Sequence, residues 1–221
     1  MEFNRIYSIH DQAITFEFAS IISEDINKHV ISLQKKIESN SFEGFIECVP
    51  AYSSLTVYYN NIDKKEVIDI VSAMNASSAI QHADDNNKII TIPVCYELGE
   101  DLEAVSSLLK IKKEEIIQLH SNHTFRVYMI GFTPGFPYMG ILPKELELPR
   151  KKTPSLQVPA GSVAIAGNQT GIYPFTTPGG WHIIGRTPLK MFDKEKPPYS
   201  LLKAGDHIYF QPISLDEFKA Y

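Results

Sequence analysis

Two arginines, Arg150 and Arg186, stand in a stretch that sets glycine and proline at fixed points between aromatic residues. A guanidinium fork held on a stiff frame suits a carboxylate or phosphate, which it grips through two parallel hydrogen bonds. Ion pairing within the chain is the alternative for both. From Gly131 to Arg186 the chain reads GFTPGFPYMGILPKELELPRKKTPSLQVPAGSVAIAGNQTGIYPFTTPGGWHIIGR. Twelve of the fourteen prolines and ten of the twelve glycines lie from Gly131 onward. Proline fixes φ and glycine admits φ > 0, so each bend is specified at a small entropic cost and the side chains between bends are held in place. Pro134-Gly135 fits the central pair of a type II turn. The turn projects Phe132, Phe136 and Tyr138 either as walls of a binding site or as a plug for the end of a barrel. Gln169 and Tyr173 in one loop, and Gly179 and Trp181 in another, extend the candidate surface, with core packing the alternative for Trp181.

Charge supports a small anionic ligand. The chain has 21 basic and 26 acidic residues, a net charge of −5, which argues against nucleic acid or an anionic membrane as partner. Between Gly131 and Phe192, however, six basic residues face two acidic ones. A carboxylate or phosphate ligand, or an acidic partner surface, would account for that local excess, although Lys151 and Lys152 also read as a solvated rim. His120 and His123 are three apart, but no carboxylate or cysteine stands at a ligand spacing, so no metal is expected. His120 closes a predicted helix, where an imidazolium is favoured. Phosphate-loop, dinucleotide-binding, nucleophile-elbow and zinc-protease motifs are absent from the sequence. Ser162 sits in a turn between strands rather than at an elbow. No ATP- or amide-hydrolysing machinery is evident in this chain alone, and no cofactor is expected on it. Cys48 and Cys95 read as reduced core residues of a cytosolic protein, and no apolar run approaches a membrane span.

The elements that must carry these residues divide the chain in two. Strands are expected at 4–8 and 13–18, then a helix capped by Ser23 with Ile26, Val30, Leu33 and Ile37 on one face. Strands at 43–49 and 54–59 follow. Asp63 caps a second helix, with Glu66 placed as in a capping box and Val67, Ile70, Val71 and Met74 inward. This ββαββα order predicts a small α+β domain over residues 1–88, with 75–87 as a linker. Residues 89–221 open with a strand at Ile89–Tyr96, where Pro93 marks an edge or bulge. Two short helices come next, the first starting at Asp101 and the second near 113–120. Strands between turns then run from Phe125 onward, a barrel or sandwich pattern.

The blocks GFTPGFPYMG, VPAGSVAIAGNQTGIYP and PGGWHIIGRTP, with Met191-Phe192-Asp193 after them, resemble the allophanate hydrolase subunit 1 family, which includes the B subunit of bacterial ATP-dependent 5-oxoprolinase and the sporulation kinase inhibitor KipI. Pro50–Leu55, Ile92–Tyr96, His120 and Leu201–Asp206 extend the match over nearly the whole chain, and His120 thereby joins the candidate contact residues. The resemblance implies a cyclophilin-like barrel in residues 89–221. It also implies a larger C-type partner chain and a third, A-type chain, which together open 5-oxoproline to glutamate with ATP. Its alternative implication is a KipI-like inhibitor of a histidine kinase. Family members usually carry an arginine where this chain has Ser155.

Overall fold

A computed structural model of the chain describes residues 1–77 and 89–221, so most of the expected linker lies outside the described residues. Two compact units result, Met1–Asn87 and Lys88–Tyr221.

In the first unit the order is β1 (Arg5–His10), β2 (Ala13–Glu17), α1 (Glu24–Ser39), β3 (Phe45–Pro50), β4 (Ser54–Tyr59) and α2 (Lys64–Ala76). The strands form an antiparallel sheet in the order β1-β2-β4-β3. Strict alternation along β4 buries Leu55, Val57 and Tyr59 under α1 and α2, which supply Val30, Leu33, Ile37, Val67 and Val71. Asp63 does cap α2, but its carboxylate accepts from the Lys65 amide, one position earlier than a capping box requires. Helix α2 also runs two residues past Met74.

The second unit contains β5 (Ile89–Val94), a 3-10 turn at Tyr96–Leu98, α3 (Leu102–Leu109), α4 (Lys113–Ser121), β6 (Thr124–Ile130) and β7 (Pro137–Gly140). Strands β8 (Ser155–Val158), β9 (Ser162–Ala166), β10 (Gln169–Ile172), β11 (Thr177–Gly179), β12 (His182–Arg186) and β13 (His207–Pro212), then α5 (Leu215–Lys219), complete it. Seven strands form one curled sheet in the order β12-β9-β10-β7-β6-β13-β5, with β8 and β11 a separate pair. Pro93 lies on β5, at an end of that order, where a missing amide is tolerated. Beyond β5 the curl brings the two ends of the sheet together. Cys95 and Arg186 exchange both backbone hydrogen bonds, at 2.8 and 3.0 Å.

Strand β9, Ser-Val-Ala-Ile-Ala, is buried throughout because both faces are covered. Val163 and Ile165 join the main core with Ile92, Phe125, Met139 and Phe210, whereas Ala164 and Ala166 face a second cluster containing Phe136, Val158, Tyr173, Trp181 and Ile183. The small residues leave room for three large rings on that face.

Candidate functional site

The β6–β7 connection is the type II turn that its residues specify. Phe136 donates its amide to the Thr133 carbonyl at 3.1 Å, with Pro134 and Gly135 between them and Gly135 at φ +83°. A Cβ at Gly135 would stand 2.7 Å from the Phe192 Cβ, so close packing as well as φ demands glycine. Phe136 is 2% exposed and meets Tyr173 at 5.1 Å, Trp181 at 5.7 Å and Tyr138 at 4.8 Å between centroids. These four rings pack on one another. They fill the second core, on the face of β9 opposite the main one. Gly179 packs directly on the Tyr173 hydroxyl, which explains why no side chain stands there. Burial pushes the Tyr138 and Tyr173 phenols up, and the nearby Arg150 charge offsets part of that rise. Arg150 is exposed, and Gln169 begins β10 opposite Gly140 and Ala166.

Phe132 differs from its neighbours. It is 62% exposed, its ring stands edge-on to Phe136 at 5.6 Å, and its backbone lies at φ +66°, a region costly for a bulky side chain. Next to it the Thr133 hydroxyl is buried without a hydrogen-bond partner among the described residues. Exposed Phe175 meets Phe192 edge-on at 5.7 Å, and Phe192 packs against Gly135. Phe132 and Phe175 thus mark an aromatic edge above the second core.

Arg186 occupies a concavity of about 250 Å³, lined also by Glu97, Leu98, Glu100, Pro159 and Ser162. Its Nε donates to the Ala160 carbonyl at 2.9 Å, which orients the fork and leaves both terminal nitrogens without a hydrogen bond or ion pair among the described residues. None of the aromatic candidates lines this concavity. Sequence reasoning missed Glu97 and Glu100, since only the closure of the sheet at Cys95–Arg186 brings their turn to this arginine.

Two expectations need correction. His120, at the end of α4, is fully buried rather than the imidazolium favoured at a helix C-terminus. Thr170 donates its hydroxyl to the Ala164 carbonyl at 3.1 Å, so it accepts from His120 Nε2 at 2.9 Å, and His120 Nδ1 accepts from the Tyr96 hydroxyl at 2.7 Å. Burial pulls its pKa down to about 3, with a smaller push from His123, and the ring is neutral. It cannot reach a ligand from there. Lys151 is no solvated rim residue, because its ammonium binds both Asp101 carboxylate oxygens, at 2.8 and 3.0 Å, and the Ser155 hydroxyl at 2.8 Å. Ser155, standing at the family's usual arginine position, therefore belongs to a structural ion-pair cluster.

Among the described residues no group of three or more His, Cys, Asp and Glu could hold a metal, and no helix is long and apolar enough to cross a membrane. Both cysteines are free and buried.

Residues 4–202 match the family described as carboxyltransferase domain, subdomain C and D. The chain belongs to that family. Members similar to it over nearly full length include the B subunit of 5-oxoprolinase from Bacillus subtilis, 42% identical with 98% of this chain and 96% of that one covered. The corresponding B subunit of Haemophilus influenzae is 38% identical over 93% and 96%, and that of Escherichia coli O157:H7 34% over 96% and 97%. Among solved structures, TTHA0988 aligns with a TM-score of 0.82 at 33% identity, covering 92% of this chain, which spans only 40% of that longer one. PH0987 from Pyrococcus horikoshii is matched over its whole length at 42% identity and a TM-score of 0.58. The Kluyveromyces lactis urea amidolyase, at 20% identity, a TM-score of 0.76 and 15% of its length, shares the fold. The carboxyltransferase C and D fold thus occurs both as a whole chain and as part of longer ones.

Proposed function

We propose that this chain is the B subunit of a multi-subunit, ATP-dependent 5-oxoprolinase that converts 5-oxo-L-proline to L-glutamate. The observation that carries the reading is its likeness, at 34–42% identity and nearly full length, to three chains named as B subunits of 5-oxoprolinase. The kinase-inhibitor alternative is not favoured by those relatives. Residues 89–221 act as a cyclophilin-like barrel domain and residues 1–88 as a separate α+β domain, in the cytoplasm. A larger C-type chain and a third, A-type chain complete the enzyme. The absence of a phosphate loop here fits ATP being handled by those partners. Coupling to ATP makes chemical sense, because phosphorylating the stable lactam carbonyl turns its oxygen into a leaving group.

Within this chain, Arg186 or Arg150 holds the substrate carboxylate. The loop carrying Phe132, Pro134, Gly135 and Thr133 meets the larger partner. Three features support that contact: an exposed ring on a costly backbone, an unpaired buried hydroxyl, and the incorporation of the same fold into longer chains such as TTHA0988. Co-expression with the two partner chains, followed by assay of ATP-dependent glutamate release from 5-oxoproline, tests the assignment. Activity is expected only when all three chains are present. Full activity without this chain would remove it from the reaction.

A further inference from the structure

We infer that the concavity at Arg186 is a binding site for the zwitterionic head of a free α-amino acid. The concavity brings opposite charges into one lining. Arg186 offers two unpaired terminal nitrogens from one side, oriented by the Nε bond to Ala160. Glu97 and Glu100 face it from the turn between β5 and α3, and the Glu97 carboxylate is steadied by the Leu215 amide at 3.2 Å. Gly99 lies between them and packs so closely on the Ile184 carbonyl that a side chain there would push the turn, and both glutamates, away from the barrel.

The fourth polar group is Ser162, paired with Arg186 in the β9–β12 register. The residue is only 1% exposed, and it lines the concavity. Its hydroxyl, able both to donate and to accept, adds a further polar group that an occupant of the concavity can use. A volume of about 250 Å³ lies below the roughly 300–1,000 Å³ of drug-sized sites, so the occupant is small.

Charge then selects the ligand class. A carboxylate binds the guanidinium fork, but two glutamates repel an anion that brings nothing for them. An ammonium on the adjacent carbon turns that repulsion into attraction. The neutral N–H of a lactam does so only weakly. The site therefore prefers an amino acid to a simple carboxylate or a cyclic amide, and in the proposed reaction that amino acid is the product. Only the choice of glutamate as probe rests on the proposed function.

Calorimetric titration of the full-length chain alone, with L-glutamate, glutarate and 5-oxo-L-proline, tests this. Glutarate is the same dicarboxylate without the ammonium. Glutamate is expected to bind roughly tenfold tighter than glutarate, the worth of one charged hydrogen bond. The double variant E97Q/E100Q, altered at exposed positions, should fold normally and lose the preference while still binding glutarate. R186Q should abolish saturable binding of both. If R186Q fails to fold, R186K, which keeps the charge and loses the fork, replaces it and should weaken both ligands. Equal affinity for glutamate and glutarate, a preference that survives E97Q/E100Q, binding of 5-oxoproline alone, or no saturable binding would each overturn the inference. An inactive pocket in a chain that the assembled enzyme still requires would leave the proposed place of this chain in the oxoprolinase standing.

Discussion

His120 shows how a residue type misleads until its surroundings are known. At a helix C-terminus the dipole favours a charged imidazole, but that effect is about 0.3–1 kcal/mol at a surface and is lost against complete burial. The ring is stacked on Phe210 at 4.4 Å and held by Tyr96 and Thr170. Its proton arrangement follows from the chain of donors, which ends at the Ala164 carbonyl. A pH dependence follows. The folded chain refuses a proton until about pH 3, whereas the unfolded chain takes one up near 6.5. The depressed value belongs to a base, so stability is fully present above 6.5 and falls as pH drops towards 3, by up to about 1.4 kcal/mol per pH unit. Urea unfolding at pH 7 and pH 5 should show the native protein losing about 2 kcal/mol more than His120→Gln over that interval. Parallel losses in the two proteins would contradict a neutral, buried His120.

At the scale of the element, the β6–β7 connection separates two phenylalanines four residues apart. Phe136→Ala empties the centre of the second core and should cost about 3–5 kcal/mol. Phe132→Ser touches an exposed ring and should leave thermal unfolding within about 0.5 kcal/mol of native, while weakening assembly with the proposed larger partner at least tenfold, roughly the worth of one interface anchor. Unchanged assembly in a size-exclusion titration would show that the exposed ring is not a contact. This turn was legible in the sequence because Pro134 and Gly135 impose their own φ values. The stripe of α1 was legible because period 3.6 needs no distant partner to be recognised, and so was that of α2 at Val67, Val71 and Met74, although Ile68 rather than the expected Ile70 packs against the core. What stayed hidden depended on long-range pairing. The four-residue strands β7 and β8 and the three-residue β11 are too short to show alternation. The Lys151–Asp101 ion pair joins residues 50 apart, and Asp101 also accepts the Ile183 amide at 2.8 Å. No local pattern announces a half-buried pair of that kind. Likewise Arg186 stood out in the sequence as a candidate for binding a carboxylate by its type and setting, but the acidic residues that share its concavity did not.

For the whole molecule, the decisive geometry is the meeting of the two ends of the seven-stranded sheet. Strand β5 opens the second unit and β13 nearly closes it, and they pair in parallel from His207–Ile89 to Pro212–Val94. The chain that makes the curled sheet is therefore contained between Ile89 and Pro212, and among the described residues the main core and the aromatic cluster draw only on that span. Loop closure over so long a segment is slow to form but costs little extra at equilibrium, since closure entropy grows only logarithmically with length. Residues 89–221 produced alone should accordingly fold, with a cooperative urea transition. Trp181, the single tryptophan, lies in the aromatic cluster and reports on this unit without interference. Its emission in the isolated segment should match the native maximum and shift to the red in one step as urea rises. An emission already red-shifted in buffer would mean that the curled sheet needs the first 88 residues to form, and the carboxyltransferase C and D fold would then be a single folding unit rather than two joined ones.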